Sequence, residues 1–338
     1  MQELLDSLKT GYGLTNPRIL KTIDRGMSAL NYEIEDASGT TYFLKTYNPK
    51  RPREELEEIQ RAETFFYSKD VPAIAPLSNK KGETLSVYGG QYMALFPWIV
   101  DKEYDTFPGE KALSSMAAIS AHLHLATKDD KSLRVGRVQD RWHKGNFLRD
   151  ATALMERIEA IPNPSALDSQ AKDWLQLKMD ISASAGLRFE DLNLLNDTVI
   201  HGDYHYHNVF FDAQDNVSHI FDFERVRLGP RTTELAYGAL FNCFDLNNPA
   251  LDEMLDERLD CAGKYIATYR DIYPIEDAEV RAGILWFYYA HQVQVLWPLN
   301  VHYFNNDFRA DLLIPKRLNR LKFFSQNLDT LLAVALAK

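Results

Sequence analysis

The chain has 338 residues, of which 45% are apolar and 25% are charged, which is the composition of an ordinary globular protein of about two lobes. The formal net charge of −10 argues against a nucleic-acid or anionic-membrane partner and is compatible with a cationic substrate. The two cysteines, Cys243 and Cys261, form no metal-binding spacing. No signal-peptide pattern and no long apolar run is present, so we expect a cytoplasmic protein with no membrane partner.

The first hundred residues predict a strand-rich lobe with one main helix. Leu56, Ile59 and Phe66 are spaced for one buried helical face, and Gly89-Gly90 is typical of a two-residue hairpin turn. The predicted elements, in chain order, are a helix over 1–10, strands over 18–23, 29–35 and 41–46, a helix over 52–69, and strands over 84–88 and 91–97.

The pattern changes after Trp98, where helical spacing becomes dominant. We expect helices around 113–123, over 146–160 and 170–184, and through most of 231–335. Two short strands, 209–212 and 218–223, form a small β insert between them. The change predicts an α+β protein with an N-lobe over 1–97 and a C-lobe over 98–338.

The strongest motif is His-Gly-Asp at 201–203 with Asn208 five residues after Asp203, followed by Ile-Phe-Asp-Phe-Glu at 220–224. Phosphoryl transfer needs a carboxylate that accepts the proton of an acceptor hydroxyl, and oxygen ligands that hold Mg²⁺ against the phosphates. Asp203 fits the first role, while Asn208 and Asp222 fit the second. The motif therefore indicates a phosphotransferase site.

The matching cation is expected on a strand of the N-lobe, and Lys45 at the end of the strand 41–46 provides it. The following helix can supply a carboxylate that holds this lysine. Glu58 is the preferred candidate, and Glu57 and Glu63 remain within a shift of the helical register.

Two further N-lobe segments are candidates for nucleotide contacts. The turn 25–31 can fold over the phosphates, with Gly26 near them and Ser28 as a donor. The connector 93–98, which includes Phe96 and Trp98, can present backbone groups to adenine, because ligand sites favour domain junctions.

The order of these features resembles the aminoglycoside phosphotransferase/choline kinase-like family, a branch of the protein-kinase-like fold that includes type II homoserine kinase-like proteins. The resemblance implies a two-lobed fold, ATP and Mg²⁺ as cofactors, and a small hydroxyl compound as acceptor: an amino alcohol, a homoserine-like compound, a sugar or an aminoglycoside. It also implies that His201 braces the loop, Asp203 is the base, Asn208 and Asp222 hold Mg²⁺, and Lys45 pairs with the α/β-phosphates.

Three residues of the C-lobe are candidates for the acceptor site. His205 is a polar loop residue that could line the acceptor cleft. The resemblance places late C-lobe helices at that pocket, which makes Tyr289 and His291 candidates, although their aromatic run is more typical of a core. Glu224 could contact the metal, but it is expected instead to pair with Arg225 or Arg227.

Three other functions stay open. A protein serine/threonine kinase of the same fold would use the same motif, and a non-catalytic protein could bind nucleotide without transfer. His201, His205 and His207 with Asp203 could instead form a Zn²⁺ or Fe site for hydrolysis. That reading gives Lys45 and Asn208 no role.

Overall fold

The computed structural model describes residues 2–23, 30–130, 132–136, 144–184, 192, 194, 198–244, 255–308 and 311–337. These residues form the strands β1 (Arg18–Ile23), β2 (Asn31–Glu35), β3 (Thr41–Thr46), β4 (Ser86–Tyr88), β5 (Gln91–Pro97), β6 (Thr198–Ile200), β7 (Val209–Phe211), β8 (Val217–Ile220) and β9 (Arg227–Gly229). They also form the helices α1 (Gln2–Tyr12), α2 (Arg53–Ser68), α3 (Glu110–Ala126), α4 (Lys144–Glu159), α5 (Ala166–Ser184), α6 (Arg231–Cys243), α7 (Leu255–Ile272), α8 (Asp277–Trp286), α9 (Trp297–Tyr303) and α10 (Leu313–Leu336).

Contacts divide the chain into two compact units. The first contains residues 1–105, 122–136 and 199–228, and the second contains residues 106–121, 137–198 and 229–338. This division differs from the predicted boundary at residue 97, because the segment around the catalytic motif packs with the N-terminal sheet. Ile74 N–H donates to Ile220 O at 3.0 Å, and Lys102 N–H donates to Phe211 O at 2.9 Å.

An antiparallel sheet with the order β1-β2-β3-β5-β4 forms the centre of the first unit. Alternation along the strands places Ile34 and Leu44 on a fully buried face, where they pack with Leu4 and Leu8 of α1 and with Leu95 of β5. The glycines of the β4–β5 turn both have positive φ, 56° and 78°, as the predicted hairpin requires.

Helix α2 links this sheet to the catalytic segment. Its buried residues include Leu56, Ile59 and Phe66, the predicted apolar face. Phe66 stacks on Phe223 with ring centroids 5.6 Å apart, and Phe223 lies 4.5 Å from the His201 ring. The helix therefore packs directly against the motif at 201–224.

The second unit is helical. Its core includes Trp174 of α5 and Tyr265 and Tyr269 of α7, all almost fully buried. Cys243 and Cys261 are buried here and form no disulfide. Among the described residues, no helix combines the length and apolar character needed to cross a bilayer.

Candidate active site

The loop between β6 and β7 is held by a buried histidine. The His201 Nε2–H donates to the carbonyl of Phe221 at 2.9 Å, and His201 Nδ1 accepts from the Asp203 N–H at 3.3 Å. His201 is fully buried, so both ring nitrogens are used to fix the loop. Gly202, between His201 and Asp203 in the chain, adopts a φ of 82°, and a Cβ at this position would collide with the carbonyl of Arg225.

Asn208 is tied to the same loop. Its side-chain nitrogen donates to the backbone oxygen of Asp203 at 2.9 Å, and its backbone N–H donates to His205 O at 2.8 Å. Because the amide nitrogen is engaged, the amide oxygen is the atom that remains for a metal ion. Amide and carboxylate oxygens are the hard ligands that Mg²⁺ prefers.

Asp222 follows β8 in a left-handed conformation with φ 64° and ψ 55°. The backbone of its segment is fixed to the catalytic loop, since the Phe221 N–H donates to Asn208 O at 3.1 Å. Burial opposes ionisation of Asp222, but the ammonium of Lys45 lowers its pKa below the ordinary value. The carboxylate is thus ionised, and the segment that carries it is hydrogen-bonded to the backbone of Asn208.

Lys45 lies on β3 with 13% of its side chain exposed. Its Nζ is 3.0 Å from Asp222 Oδ1 and 2.8 Å from Glu224 Oε1. Burial alone would lower the pKa of Lys45, but these two carboxylates raise it above the ordinary value. The strand lysine and the downstream aspartate, 177 residues apart in sequence, are therefore in direct contact.

The carboxylate of α2 that lies in the same cavity as this lysine is Glu63, rather than the preferred candidate Glu58. Glu58 accepts a hydrogen bond from the Gly136 N–H at 3.3 Å, on another side of the helix. Glu63 is 3% exposed and lines the same cavity as Lys45. Burial raises the pKa of Glu63 to about 8, and the nearby Lys45 limits that rise. Five residues on a helix separate the two glutamates by more than one turn, which turns them to different faces.

A cavity of about 730 Å³ within the first unit is lined by Lys45, Glu63, Asp203 and Asp222. Its volume is within the usual range for ligand pockets. Phe96 and Trp98, the predicted connector residues, are in its wall. Gly26 and Ser28 lie outside the described residues. The residues lining the cavity include Lys21, Ile23, Phe43, Lys45, Arg51, Glu63, Phe96, Pro97, Trp98, Asp203, Phe221, Asp222, Glu224 and Arg225.

His205 lies beside the predicted base, with its Nε2 3.7 Å from Asp203 Oδ1. Burial lowers the pKa of His205 to about 4, so the imidazole is neutral near pH 7. Among the described residues, no group of three or more His, Cys, Asp or Glu side chains has the arrangement of a metal site.

Glu224 has partners that the sequence did not indicate. It pairs with Lys45 and, through Oε2, with Arg51 Nη1 at 2.5 Å. The expected partner Arg225 instead approaches Asp203, at 3.7 Å. Arg51 precedes α2 and carries no recognisable motif, so only the folded arrangement reveals it.

Tyr289 and His291 belong to the second unit, in a π-helical segment, Phe287–Val293, between α8 and α9. The backbone at and just after the end of this segment is bound by a buried lysine. Lys178 Nζ donates to the carbonyls of Gln292, Val293 and Val295 at 2.7, 2.7 and 2.9 Å. π-Helical turns are frequent at functional sites. The acceptor role of the two residues stays a prediction.

Comparison with known proteins gives the class of this chain. The family model described as the phosphotransferase enzyme family matches residues 19–272. The chain therefore belongs to this family, and the predictions of the family and of a phosphotransferase are confirmed. Comparison with curated protein sequences gives no match.

Solved structures with the same fold include three phosphotransferases. An aminoglycoside phosphotransferase from Alicyclobacillus acidocaldarius is 14% identical with a TM-score of 0.62, over 94% of this chain and 91% of that one. A spectinomycin phosphotransferase, in complex with ADP and spectinomycin, is 13% identical with a TM-score of 0.62, over 99% of this chain and 97% of that one. A microcompartment-associated aminopropanol kinase is 14% identical with a TM-score of 0.62, over 99% of both chains. The predicted α+β kinase-like fold is confirmed.

Proposed function

We propose that the protein transfers the γ-phosphate of ATP, in the presence of Mg²⁺, to a hydroxyl group of a small molecule. The observation that carries the proposal is the contact of Lys45 with Asp222 at 3.0 Å, in a cavity that also contains Asp203. A strand cation, a proton acceptor and oxygen ligands are the groups that phosphoryl transfer requires.

Asp203 is the proposed base. It lies in the cavity wall on a loop fixed by His201 and Asn208, so its carboxylate has a defined direction. In the proposed reaction it orients the acceptor hydroxyl and accepts its proton as the oxygen attacks the γ-phosphorus. The bond between the γ-phosphorus and the bridging oxygen of the β-phosphate breaks, and ADP leaves. A fixed base matters because proton transfer needs hydrogen-bond reach in the reactive geometry.

Asn208 and Asp222 are the proposed ligands of Mg²⁺, which when bound would neutralise charge on the phosphates. The amide oxygen of Asn208 and the ionised carboxylate of Asp222 fit this ion. Lys45 would contact the nucleotide phosphates. Phe96 and Trp98, which also line the cavity, are the proposed adenine contacts.

The acceptor class proposed is a hydroxyl compound that carries an amine, which suits the net charge of −10. The aminopropanol kinase and the spectinomycin phosphotransferase of the same fold are named for compounds of this kind. His205, Tyr289 and His291 remain the proposed acceptor contacts.

An ADP-release assay across hydroxyl compounds tests the function, with amino alcohols, homoserine, sugars and aminoglycosides as acceptors. With an active acceptor, Asp203→Asn should lose on the order of 10²–10⁴-fold in turnover and keep its affinity for nucleotide. Asp215→Asn is the matched control, because Asp215 contacts Lys102 and Tyr104 away from the cavity. Near-wild-type turnover of Asp203→Asn would reject the assignment. Labelled phosphate on protein bands of a lysate, and none on small compounds, would favour a protein kinase.

A further inference from the structure

The cavity that contains Lys45 and Asp222 is also lined by an arginine that lies outside every recognised motif. Arg51 lies in the loop between β3 and α2, with 19% of its side chain exposed. Its Nη1 is 2.5 Å from Glu224 Oε2, and its Nη2 donates to the backbone oxygen of Glu224 at 3.3 Å. The same guanidinium holds Glu55 Oε1, with Nη2 at 2.6 Å. The arginine therefore grips both the side chain and the backbone of one residue.

Glu224 is shared between two cations. Its Oε1 contacts Lys45 at 2.8 Å while its Oε2 contacts Arg51. Lys45 also holds Asp222, at 3.0 Å. If Lys45 contacts nucleotide phosphates, as the proposed function requires, its positive charge is shared with them, which weakens its attraction for Glu224. A carboxylate close to a triphosphate and without a cation would repel it.

We infer that Arg51 is a positioning residue for nucleotide binding, which holds Glu224 and neutralises its charge when Lys45 turns to the phosphates. This inference rests on the proposed function. It adds a residue on which that site depends: Arg51 lies outside the motif and contacts the last motif residue, Glu224. In the proposal it does not contact the nucleotide itself.

The geometry favours arginine for this role. The planar guanidinium can bond Glu224 and Glu55 at once through separate N–H groups, which a lysine ammonium cannot match in a fixed direction. The grip also fixes the segment that carries Asp222, two residues earlier, whose φ of 64° is unfavourable for a residue other than glycine. Arg51 therefore stabilises the position of a proposed metal ligand as well as a charge.

Titration of ADP in EDTA by calorimetry tests the inference, because no metal contact then contributes. We expect Arg51→Gln to weaken ADP binding about tenfold, or about 1.4 kcal/mol. Arg53→Gln is the matched control. Arg53 makes a similar ion pair with Glu57 on α2, at 2.7 Å, and does not reach Glu224. The ADP affinity of Arg53→Gln should stay within about twofold of wild type.

A double-variant cycle separates a role through Glu224 from direct contact with the phosphates. In a Glu224→Gln background no charge remains to be neutralised, so adding Arg51→Gln should change ADP affinity by less than about twofold. A loss of about tenfold in that background would overturn the inference, since Arg51 would then act on the nucleotide itself. Arg51→Lys should recover part of the ADP affinity, because lysine restores the positive charge but not the two separate hydrogen bonds of the planar guanidinium.

The remaining outcomes are also decisive. Equal ADP binding by wild type and a folded Arg51→Gln protein, checked by circular dichroism, would reject the role of Arg51 and leave the proposed function intact. A wild-type protein that binds no ADP, either in EDTA or with Mg²⁺, would reject the proposed function and this inference with it. If Arg51→Gln alone fails to fold, the comparison of Glu224→Gln with the double variant still decides.

Discussion

Replacing Glu63 by glutamine removes a buried carboxyl group that faces Lys45 from α2. Glu63 is 3% exposed, and its Oε2 accepts no hydrogen bond from the part of the chain that the structure describes. Burial raises the pKa of this group from 4.5 to about 8. In the unfolded chain the same carboxyl ionises near its ordinary value, so between these two pH values the unfolded state binds fewer protons than the folded state.

The sign of the effect follows from this difference. When the folded pKa of an acid is raised, stability falls as pH rises from the unfolded value to the folded value. A rise from 4.5 to about 8 corresponds to roughly 5 kcal/mol, at about 1.4 kcal/mol per pH unit. Movement of Lys45 toward the ionised carboxylate would recover part of it, so we expect about 2–4 kcal/mol.

Urea unfolding of wild type and Glu63→Gln at pH 5, 6.5 and 8.5 measures this loss of stability. The free energy of unfolding of the two proteins should be similar at pH 5. At pH 8.5 the glutamine variant should be the more stable one, by about 2–4 kcal/mol, because it carries no group to ionise. Glu57→Gln is the control, since Glu57 is a half-exposed surface residue paired with Arg53, and its profile should follow wild type within about 0.5 kcal/mol. Parallel pH profiles for wild type and Glu63→Gln would refute the reasoning.

Two further predictions concern the loops that carry the candidate ligands. Asp222→Ala removes the carboxylate that contacts Lys45; the dependence of ADP affinity on Mg²⁺ should disappear, and a calorimetric titration that still shows a Mg²⁺ effect would contradict the ligand assignment. Gly202→Ala places a Cβ against the carbonyl of Arg225 at a positive φ; it should cost at least about 2 kcal/mol in stability. A thermal melt equal to that of wild type would show that the loop adapts.

Much of the site was predictable from local sequence. The motif at 201–208, the following Asp222 and the strand lysine Lys45 each occur in a short pattern whose chemistry is recognisable. The strand bounds 18–23, 41–46 and 91–97 were also predicted as the structure has them, because alternation and turn residues act over only a few positions.

The choice between Glu58 and Glu63 was not predictable in this way. Both lie on α2 among several other glutamates, and a helix face is decided by what packs against it. The stacking of Phe66 on Phe223 is one such contact. It joins residues 157 positions apart, and no local pattern specifies it.

The sequence by itself determined the family, the kinase-like fold class and the residue types of the candidate site, because these depend on motifs and on the order of short elements. Tertiary structure alone decided that the segment 199–228 belongs with the N-terminal sheet, and that Glu224 pairs with Lys45 and Arg51. The physical reason is that ion pairs and packing depend on distance in space. Charged residues are too frequent in the sequence for their type to indicate which of them meet.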